Sequence, residues 1–278
     1  MRNLFFSCCI LLFLSPVLAE HPTYLKYLQA VDNSSRIRVL PTQDRGWYLF
    51  SLDSLKIYKF NNCGHLQWAF KYSFPLLPWR GVDIVATQTG GFAFLIMNYP
   101  SSNYHAFIVN ADAQGNVLWC KSFEDVPYTE VPYTLIQDNA GNFFLYGNVT
   151  YVPNNDVFNS LTKISAGGTV VWRKLYNHGG TWGGAIRTKD KGFLLRTGNT
   201  FIKTDLNGNE IWTRSFLVGM YNYCKPVEVN DGYICNGYDH NAIGGDTITF
   251  FKMDKSGALQ WGGKKVVDFI GVPQELCS

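Results

Sequence analysis

The apolar residues of this chain occur in short runs and not at helical spacing. Tyr, Phe, Trp, Val, Ile and Thr recur in stretches bounded by Gly, Asn or Asp, and some of these stretches begin directly after a glycine, as at Gly91-Phe92 and Gly192-Phe193. Short runs closed by turn-forming residues are typical of β-strands, since glycine and Asx residues adopt the backbone conformations that tight turns require. The pattern therefore predicts an all-β protein of many short strands.

A repeat centred on tryptophan covers most of the chain. A glycine stands four residues before each repeat tryptophan, an Asn, Asp or Ser stands seven before, and a Lys or Asn stands nine before; Tyr or Phe follows four residues after, except in the last copy, where Lys265 stands. The five tryptophans are Trp68, Trp119, Trp172, Trp212 and Trp261, and their glycines are Gly64, Gly115, Gly168, Gly208 and Gly257. A fixed register of this kind indicates a repeat architecture.

Each repeat predicts four strands. The Asx residue and the glycine at positive φ predict a tight β-hairpin whose second strand carries the tryptophan. A second glycine followed by an aromatic residue begins another strand, first at Gly46-Trp47 and then 20 to 23 residues after the tryptophans. Repeated four-stranded units of this length predict a β-propeller, and we expect the tryptophans to pack between neighbouring blades. Five blades are expected, and six if the segment at residues 24–28 adds a strand.

The residues of the repeat resemble those of a known group. The segment from Ile202 to Trp212 resembles the K-x-D-x-x-G-x-x-x-W repeat of exported bacterial β-propellers, which is similar to the repeat of PQQ-like quinoprotein propellers. This resemblance spans about residues 35–266 and implies a fold. Quinoprotein chemistry would imply eight blades, a vicinal disulfide and metal-binding carboxylates. The adjacent cysteines of this chain, Cys8 and Cys9, lie in its first nineteen residues, so we expect no PQQ cofactor.

The first nineteen residues have the features of an export signal. Arg2 precedes an apolar run from Leu4 to Leu14, and the segment ends with Val17-Leu18-Ala19. Such a run is shorter than the roughly 20 apolar residues of a transmembrane helix, and it has the layout of a cleaved signal peptide. We expect residues 20–278 to form one β-propeller domain without a membrane span, secreted or periplasmic and monomeric.

Composition limits the chemistry. The formal charge is +3 with no basic run, which argues against a nucleic-acid partner. The chain lacks a phosphate-binding loop, a dinucleotide fingerprint, a nucleophile elbow and CxxC spacing, so we expect no cofactor and no metal site. Five cysteines remain after the signal, an odd number that leaves their pairing open: Cys63, Cys120, Cys224, Cys235 and Cys277. Asn33 and Asn148 begin sequons for N-glycosylation.

The two ends of the predicted strands differ. At one end the turns are tight and repetitive, whereas the connections at the other end vary in length and are rich in aromatic residues, as at residues 75–83, 98–105, 147–160 and 238–246. Variable connections on a rigid scaffold are where binding residues accumulate. The candidate binding residues at this variable-loop face are Trp79, Arg80, Asp83, Tyr133, Trp182, Tyr221 and Tyr223.

The sequence leaves three roles open for this face. Aromatic rings with a few charges and amides suit a protein or carbohydrate ligand, and we take a non-catalytic binding protein as the first hypothesis. The same rings would also serve to plug a central channel and cover the edges of the blades. The alternative function is a glycoside hydrolase-like enzyme in which Asp83 and Glu228 form a carboxylate pair at the propeller axis.

Overall fold

The computed structural model describes residues 36–74, 79–98, 105–123, 128–178, 180, 183–216, 225–241 and 245–267. Residues 1–19, for which an export signal is expected, and residues 24–28 lie outside these ranges. The described residues form antiparallel strands and no helix.

The strands form five four-stranded sheets, each a simple antiparallel meander in chain order. The first and second sheets contain β1 (Ile37–Pro41), β2 (Trp47–Ser51), β3 (Lys56–Phe60), β4 (Leu66–Lys71), β5 (Trp79–Ala86), β6 (Phe92–Asn98), β7 (Ala106–Ala111) and β8 (Val117–Ser122). The third and fourth sheets contain β9 (Tyr128–Gln137), β10 (Phe143–Tyr151), β11 (Asp156–Ile164), β12 (Val170–Tyr176), β13 (Gly183–Arg187), β14 (Phe193–Thr197), β15 (Thr200–Thr204) and β16 (Glu210–Ser215). The fifth sheet contains β17 (Val227–Val229), β18 (Gly232–Asn241), β19 (Gly245–Asp254) and β20 (Leu259–Val267).

The chain divides into two compact units. The first unit comprises Met1–Pro100 and Ile108–Cys120, and the second comprises Ser101–Phe107 and Lys121–Ser278. The first unit therefore holds the first two sheets except for parts of β7 and β8, and the second unit holds the other three sheets. Within each unit the first strands of successive sheets approach each other, β1 with β5 and β9 with β13.

The repeat hairpin has the geometry that its sequence predicts. In the fourth sheet the Asp205 carboxylate accepts hydrogen bonds from the backbone N–H groups of Asn207 and Asn209 at 2.8 Å each. Gly208 follows with a φ of 76°, a value that costs glycine little and other residues more. The other four repeat glycines also have positive φ, and Asn61, Asp112, Ser165 and Asp254 cap their turns in the same manner. The predicted hairpin is confirmed.

The glycine of this hairpin also permits close packing on the preceding sheet. A methyl group at Gly208 would lie 3.1 Å from Trp172 Cη2 and 3.1 Å from Tyr176 Oη of the third sheet. The Tyr176 hydroxyl donates a 2.8 Å hydrogen bond to the Gly208 carbonyl. The glycine and tryptophan positions therefore recur together because one sheet's hairpin rests on the previous sheet's tryptophan strand, which confirms that Trp172 packs between neighbouring sheets.

The lysine of the repeat joins the two hairpins of one sheet. Lys203 is buried and forms an ion pair with Asp190, in the turn between β13 and β14, at 2.9 Å. Lys59 pairs with Asp44 in the same way in the first sheet, at 2.7 Å. These ion pairs lie at the tight-turn end, so the lysine position belongs to the scaffold.

The core lies between neighbouring sheets. In the second unit, rings and aliphatic side chains of the third and fourth sheets form one buried cluster that includes Phe144, Tyr146, Phe193 and Ile202. The Phe144 and Phe193 rings are 4.6 Å apart. Since such a core is built sheet by sheet, loops beyond the strand ends are left to vary.

Candidate binding site

Trp79, Arg80 and Asp83 lie on the first strand of the second sheet. β5 begins at Trp79, which is opposite Asn98 on β6, and Arg80 is opposite Met97. The connection expected over residues 75–83 is shorter than the sequence suggested. Its second part, from Trp79 onward, is paired with β6 and belongs to β5. Trp79 is partly buried with its ring 6.0 Å from Phe74, and Arg80 is exposed.

A β-bulge between Gly81 and Asp83 positions the Asp83 carboxylate. The Gly81 N–H donates a 2.7 Å hydrogen bond to the Leu52 carbonyl, and a side chain at Gly81 would collide with Phe50 and Leu52. This close approach sets β5 against the first sheet. Asp83 is 1% exposed, and its Oδ1 lies 3.8 Å from Nε of Arg38 on β1.

Tyr133 belongs to the core of the second unit. Its side chain is 9% exposed and lies in the cluster between the third and fourth sheets, with its ring 6.4 Å from the Tyr146 ring. Apolar burial of this extent indicates a structural role for the ring. Local alternation of residue types does not predict this burial, because Tyr133 is the extra residue of a β-bulge in β9.

Glu228 lies at the tight-turn end of the fifth sheet. Its Oε2 accepts a 2.7 Å hydrogen bond from the Lys189 N–H, and its Oε1 forms an ion pair with Lys255. The Lys255 ammonium lies 4.5 Å from the centre of the Tyr233 ring. Glu228 thereby links the first turn of the fourth sheet to the repeat hairpin of the fifth.

The predicted site residues are divided between the two units. Trp79, Arg80 and Asp83 share β5, whereas Tyr133 and Glu228 belong to the other unit. Trp182, Tyr221 and Tyr223 lie outside the described residues.

A buried polar network holds the connection between the third and fourth sheets. The Gly180 carbonyl accepts hydrogen bonds from the Asn148 amide at 3.2 Å and from the Thr197 hydroxyl at 3.0 Å. The Asn159 amide donates to Asn148 Oδ1 and to Thr197 Oγ1, at 2.9 Å each. Asn148, Asn159 and Thr197 are all buried. Side chains of β10, β11 and β14 thus hold the Gly180 carbonyl, and no local sequence pattern identifies this set.

Two of the expected variable connections are extended hairpins. β10 and β11 stay paired up to Tyr151 and Asp156, and β18 and β19 stay paired up to Asn241 and Gly245. The loops expected over residues 147–160 and 238–246 are therefore largely strand. Alternating β-branched and polar residues near these turns continue the strands further than the turn residues alone suggested.

The described residues contain no group of three His, Cys, Asp or Glu side chains arranged to hold a metal ion. His178 forms a 2.9 Å contact with Glu210. Cys63, Cys120 and Cys235 are free thiols, and burial raises the pKa of Cys235 to about 12. Within the same residues, no helix has the length and apolar character to cross a membrane.

A hollow of about 440 Å³ lies at the tight-turn end of the first unit, between the first two sheets. The Trp68 ring, the Lys59–Asp44 ion pair and the amides of Gln67 and Gln114 contribute to its walls. In the sequence analysis the candidate binding residues are placed at the other end of the strands, and none of the residues that line this hollow is named as a site.

The chain is similar to several solved structures. A protein of unknown function from Bacteroides caccae matches with a TM-score of 0.57 and 12% identity, over 84% of this chain and 82% of that chain. Streptogramin B lyase matches with a TM-score of 0.53 and 13% identity, over 85% and 70% of the two chains. The WD40 domain of Pan2 from Neurospora crassa matches with a TM-score of 0.55 and 12% identity, over 82% of this chain and 64% of that chain. No protein-family model and no curated protein matches the chain.

These similarities establish the fold class. The chain is all-β, of the β-propeller type, with five four-stranded sheets as its blades, and this prediction is confirmed. At identities of 12–13% the likeness concerns the fold alone. Propellers host unrelated functions, so function has to be argued from the site.

Proposed function

We propose that this chain is an exported, non-catalytic binding protein that holds a protein or glycan ligand through its variable-loop face. In the first unit, Trp79 and Arg80, which begin β5, would contact a ligand. Trp182, Tyr221 and Tyr223 are the candidates that the sequence offers in the second unit, and they lie outside the described residues.

The observation that carries this proposal is the network around Gly180. The Gly180 carbonyl, which lies between the third and fourth sheets, accepts two hydrogen bonds from buried side chains that belong to strands. Burying amides and hydroxyls is costly, and the hydrogen bonds among these side chains offset part of that cost and favour one conformation. Within the described residues, Asn159 Oδ1 is the one oxygen of the set that accepts no hydrogen bond. Fixing a loop before the ligand arrives lowers the entropy lost on binding. In the sequence, Trp182 follows Gly180 by two residues.

The surroundings of the two candidate carboxylates favour binding over catalysis. A retaining or inverting glycosidase needs two carboxyl groups that reach the substrate. Asp83 is buried beside Arg38, and Glu228 is engaged by Lys255 and by the Lys189 N–H at the tight-turn end. These contacts bind both carboxylates to other groups of the protein, so each has a structural role.

Export and repeat type complete the proposal. The apolar run from Leu4 to Leu14 supports a secreted or periplasmic protein. The packing of Gly208 against Trp172 supports a repeat of the tryptophan-docking kind that the K-x-D-x-x-G-x-x-x-W sequence resembles.

The test is a binding screen with matched tryptophan variants. Wild-type protein is screened against a glycan array and against surface proteins, and any ligand found is titrated with Trp182→Ala. We expect affinity to fall at least about tenfold, corresponding to the 1–3 kcal/mol of a typical aromatic anchor. Trp261→Ala is the control, because Trp261 is 49% exposed on the outer strand of the fifth sheet.

Two outcomes would overturn the proposal. One is equal loss of affinity in the Trp182 and Trp261 variants, which would indicate a general effect on the fold. The other is hydrolysis of a glycan by the wild type that Asp83→Asn or Glu228→Gln abolishes while the melting temperature stays unchanged.

A further inference from the structure

The hollow in the first unit lies at the opposite end of the strands from the variable connections. The first turn of each sheet and the repeat hairpin of the second sheet surround it. Its volume of about 440 Å³ falls in the range of small-molecule sites. It is therefore a candidate small-molecule site, separate from the face to which the proposed function is assigned.

An aromatic ring forms one wall of the hollow. Trp68 lies on β4 and is partly exposed, with its ring centre 5.7 Å from that of Tyr48 and 6.1 Å from that of Phe92. These neighbours fix the indole in place. A fixed, partly open indole can accept the C–H groups of a ligand against its electron-rich face.

An ion pair forms a second wall. Lys59 is 5% exposed, and its Nζ donates to Asp44 Oδ1 at 2.7 Å and to Thr42 Oγ1 at 2.8 Å. Asp44 itself is largely exposed. The Lys59 hydrogen bond lowers the pKa of Asp44 to about 2, so its outer lone pairs remain acceptors at neutral pH.

The rim of the hollow carries uncharged amides. Gln43, Gln67 and Gln114 are exposed and line the hollow. Each amide offers both donors and an acceptor. The site therefore has no net charge, because Lys59 neutralises Asp44, and it can hydrogen-bond hydroxyl groups in either direction.

The corresponding place in the second unit has a lysine where the first unit has Ala113. Lys203, Asp190 and Trp212 of the fourth sheet repeat Lys59, Asp44 and Trp68 of the first. The facing hairpin of the fifth sheet has Lys255 two residues before its repeat glycine, at the place of Ala113 in the second sheet.

Lys255 closes that second place with its own contacts. Its carbonyl accepts a 3.1 Å hydrogen bond from Trp212 Nε1, and its ammonium lies over the Tyr233 ring and pairs with Glu228. Ala113 has no side chain that could do the same. Ala113 therefore leaves free, at this repeat position, the space that a lysine side chain would take.

We propose that the hollow binds a mono- or disaccharide. The Trp68 ring faces the apolar side of a pyranose, the Asp44 carboxylate accepts hydrogen bonds from adjacent hydroxyls, and the Gln67 and Gln114 amides hold the remaining hydroxyls. A neutral polyol matches this lining, since the Lys59–Asp44 ion pair has no net charge and Asp44 and the glutamine amides are exposed to accept and donate hydrogen bonds. The proposal does not rest on the variable-loop face, from which the hollow is separated by the length of the strands.

The experiment titrates the full chain with glucose, galactose, N-acetylglucosamine, cellobiose and lactose, and follows tryptophan fluorescence and calorimetric heat. We expect saturable binding of at least one sugar below about 50 mM, the range of weak carbohydrate sites. Ala113→Lys, which copies the fifth sheet, should abolish it. Ala166→Lys is the matched control, because Ala166 holds the same repeat position in the third sheet.

Further variants keep the test decisive. Gln67→Ala and Gln114→Ala alter exposed side chains and should each weaken binding by about three- to tenfold, even if Ala113→Lys folds poorly. Absence of saturable binding for all five sugars would overturn the proposal, as would binding that these three variants leave unchanged. Trp182→Ala should retain sugar binding here, so failure at one face is distinguishable from failure at the other.

Discussion

The two ends of the strands differ in how regular their connections are. At the tight-turn end, every sheet uses the same Asx-capped hairpin and a glycine at positive φ. At the other end, β14 and β15 are joined by two residues, whereas the β10–β11 pair extends to Tyr151 and Asp156 and the connection at Gly180 is fixed by its own network. Repetition at one end reflects a packing requirement shared by all sheets. Variation at the other end reflects strand lengths and hydrogen bonds that differ from sheet to sheet.

The largest effect should come from removing a repeat tryptophan at the tight-turn end. Trp212→Ala removes a ring that packs against the buried cluster of the fourth and fifth sheets, and we expect it to lower the free energy of unfolding by about 3 kcal/mol through the cavity left behind. Denaturant unfolding measures this. Trp261→Ala, at a ring 49% exposed, should cost clearly less; equal costs would mean that burial of the repeat ring does not drive stability.

A substitution at the repeat glycine should have the next largest effect. Gly208→Val places a β-branched side chain at a φ of 76° and within about 3 Å of Trp172 and Lys174, which should cost roughly 2 to 3 kcal/mol. Gly90→Ala is the control, because Gly90 has a φ of 83° with open space around its Cβ position. It should cost only about 1 kcal/mol for the backbone conformation. Melting of the Val variant at the wild-type temperature would contradict the close packing.

The variable-loop face should respond locally. Asn159→Ala removes the donor to Asn148 Oδ1 and Thr197 Oγ1, and we expect a loss of about 1 to 2 kcal/mol because buried polar atoms lose partners. Hydrogen exchange should accelerate at residues 177–180 while the repeat hairpins keep their protection. Uniform acceleration across the second unit would show that the network supports the whole core.

Acid should produce the smallest effect, and it should act at the tight-turn end. Hydrogen bonds from Lys59 and Lys252 lower the pKa values of Asp44 and Asp231. For Asp190, burial acts upward, but hydrogen bonds from Thr188 and Lys203 outweigh it and lower the pKa. A carboxylate whose folded pKa lies below its unfolded value of about 4 stabilises the fold above that pH and loses the contribution as the pH falls toward 2. The melting temperature should therefore drop as the pH is lowered from about 4 to about 2. The Asp44→Asn variant should show a smaller drop over the same interval. A wild-type melting temperature that stays constant over that interval would argue against the ion pairs.

Repeat positions made much of the fold predictable from sequence. The repeat glycine and tryptophan positions keep a constant spacing because one packs on the other, as Gly208 does on Trp172. That spacing was enough to predict the hairpins, the four strands of each repeat and the fold class. The bulge that directs Asp83 and the burial of Tyr133 depend on strand pairing and on a neighbouring sheet. Such long-range contacts leave no local signature.

The sequence contained one indication of the hollow that the sequence analysis did not use. Ala113 and Lys255 occupy the same repeat position, and their difference in size is visible without a structure. The network at Gly180 had no comparable signal, because Asn148, Asn159 and Thr197 come from three strands. Deviations within a repeat are therefore as informative as its constant positions.

The burial of Asn148 has a consequence for producing this protein in a host that attaches N-linked glycans. Asn148 begins an Asn-Val-Thr sequon, yet its side chain is 4% exposed and its amide donates to the Gly180 carbonyl. A sugar attached to that nitrogen before folding would occupy the space of β11 and β14 and keep the connection from closing. Glycan transfer and native folding therefore compete for the same atom, and secretion from such a host should improve when Thr150 is replaced by Val, which removes the sequon and leaves Asn148 in place.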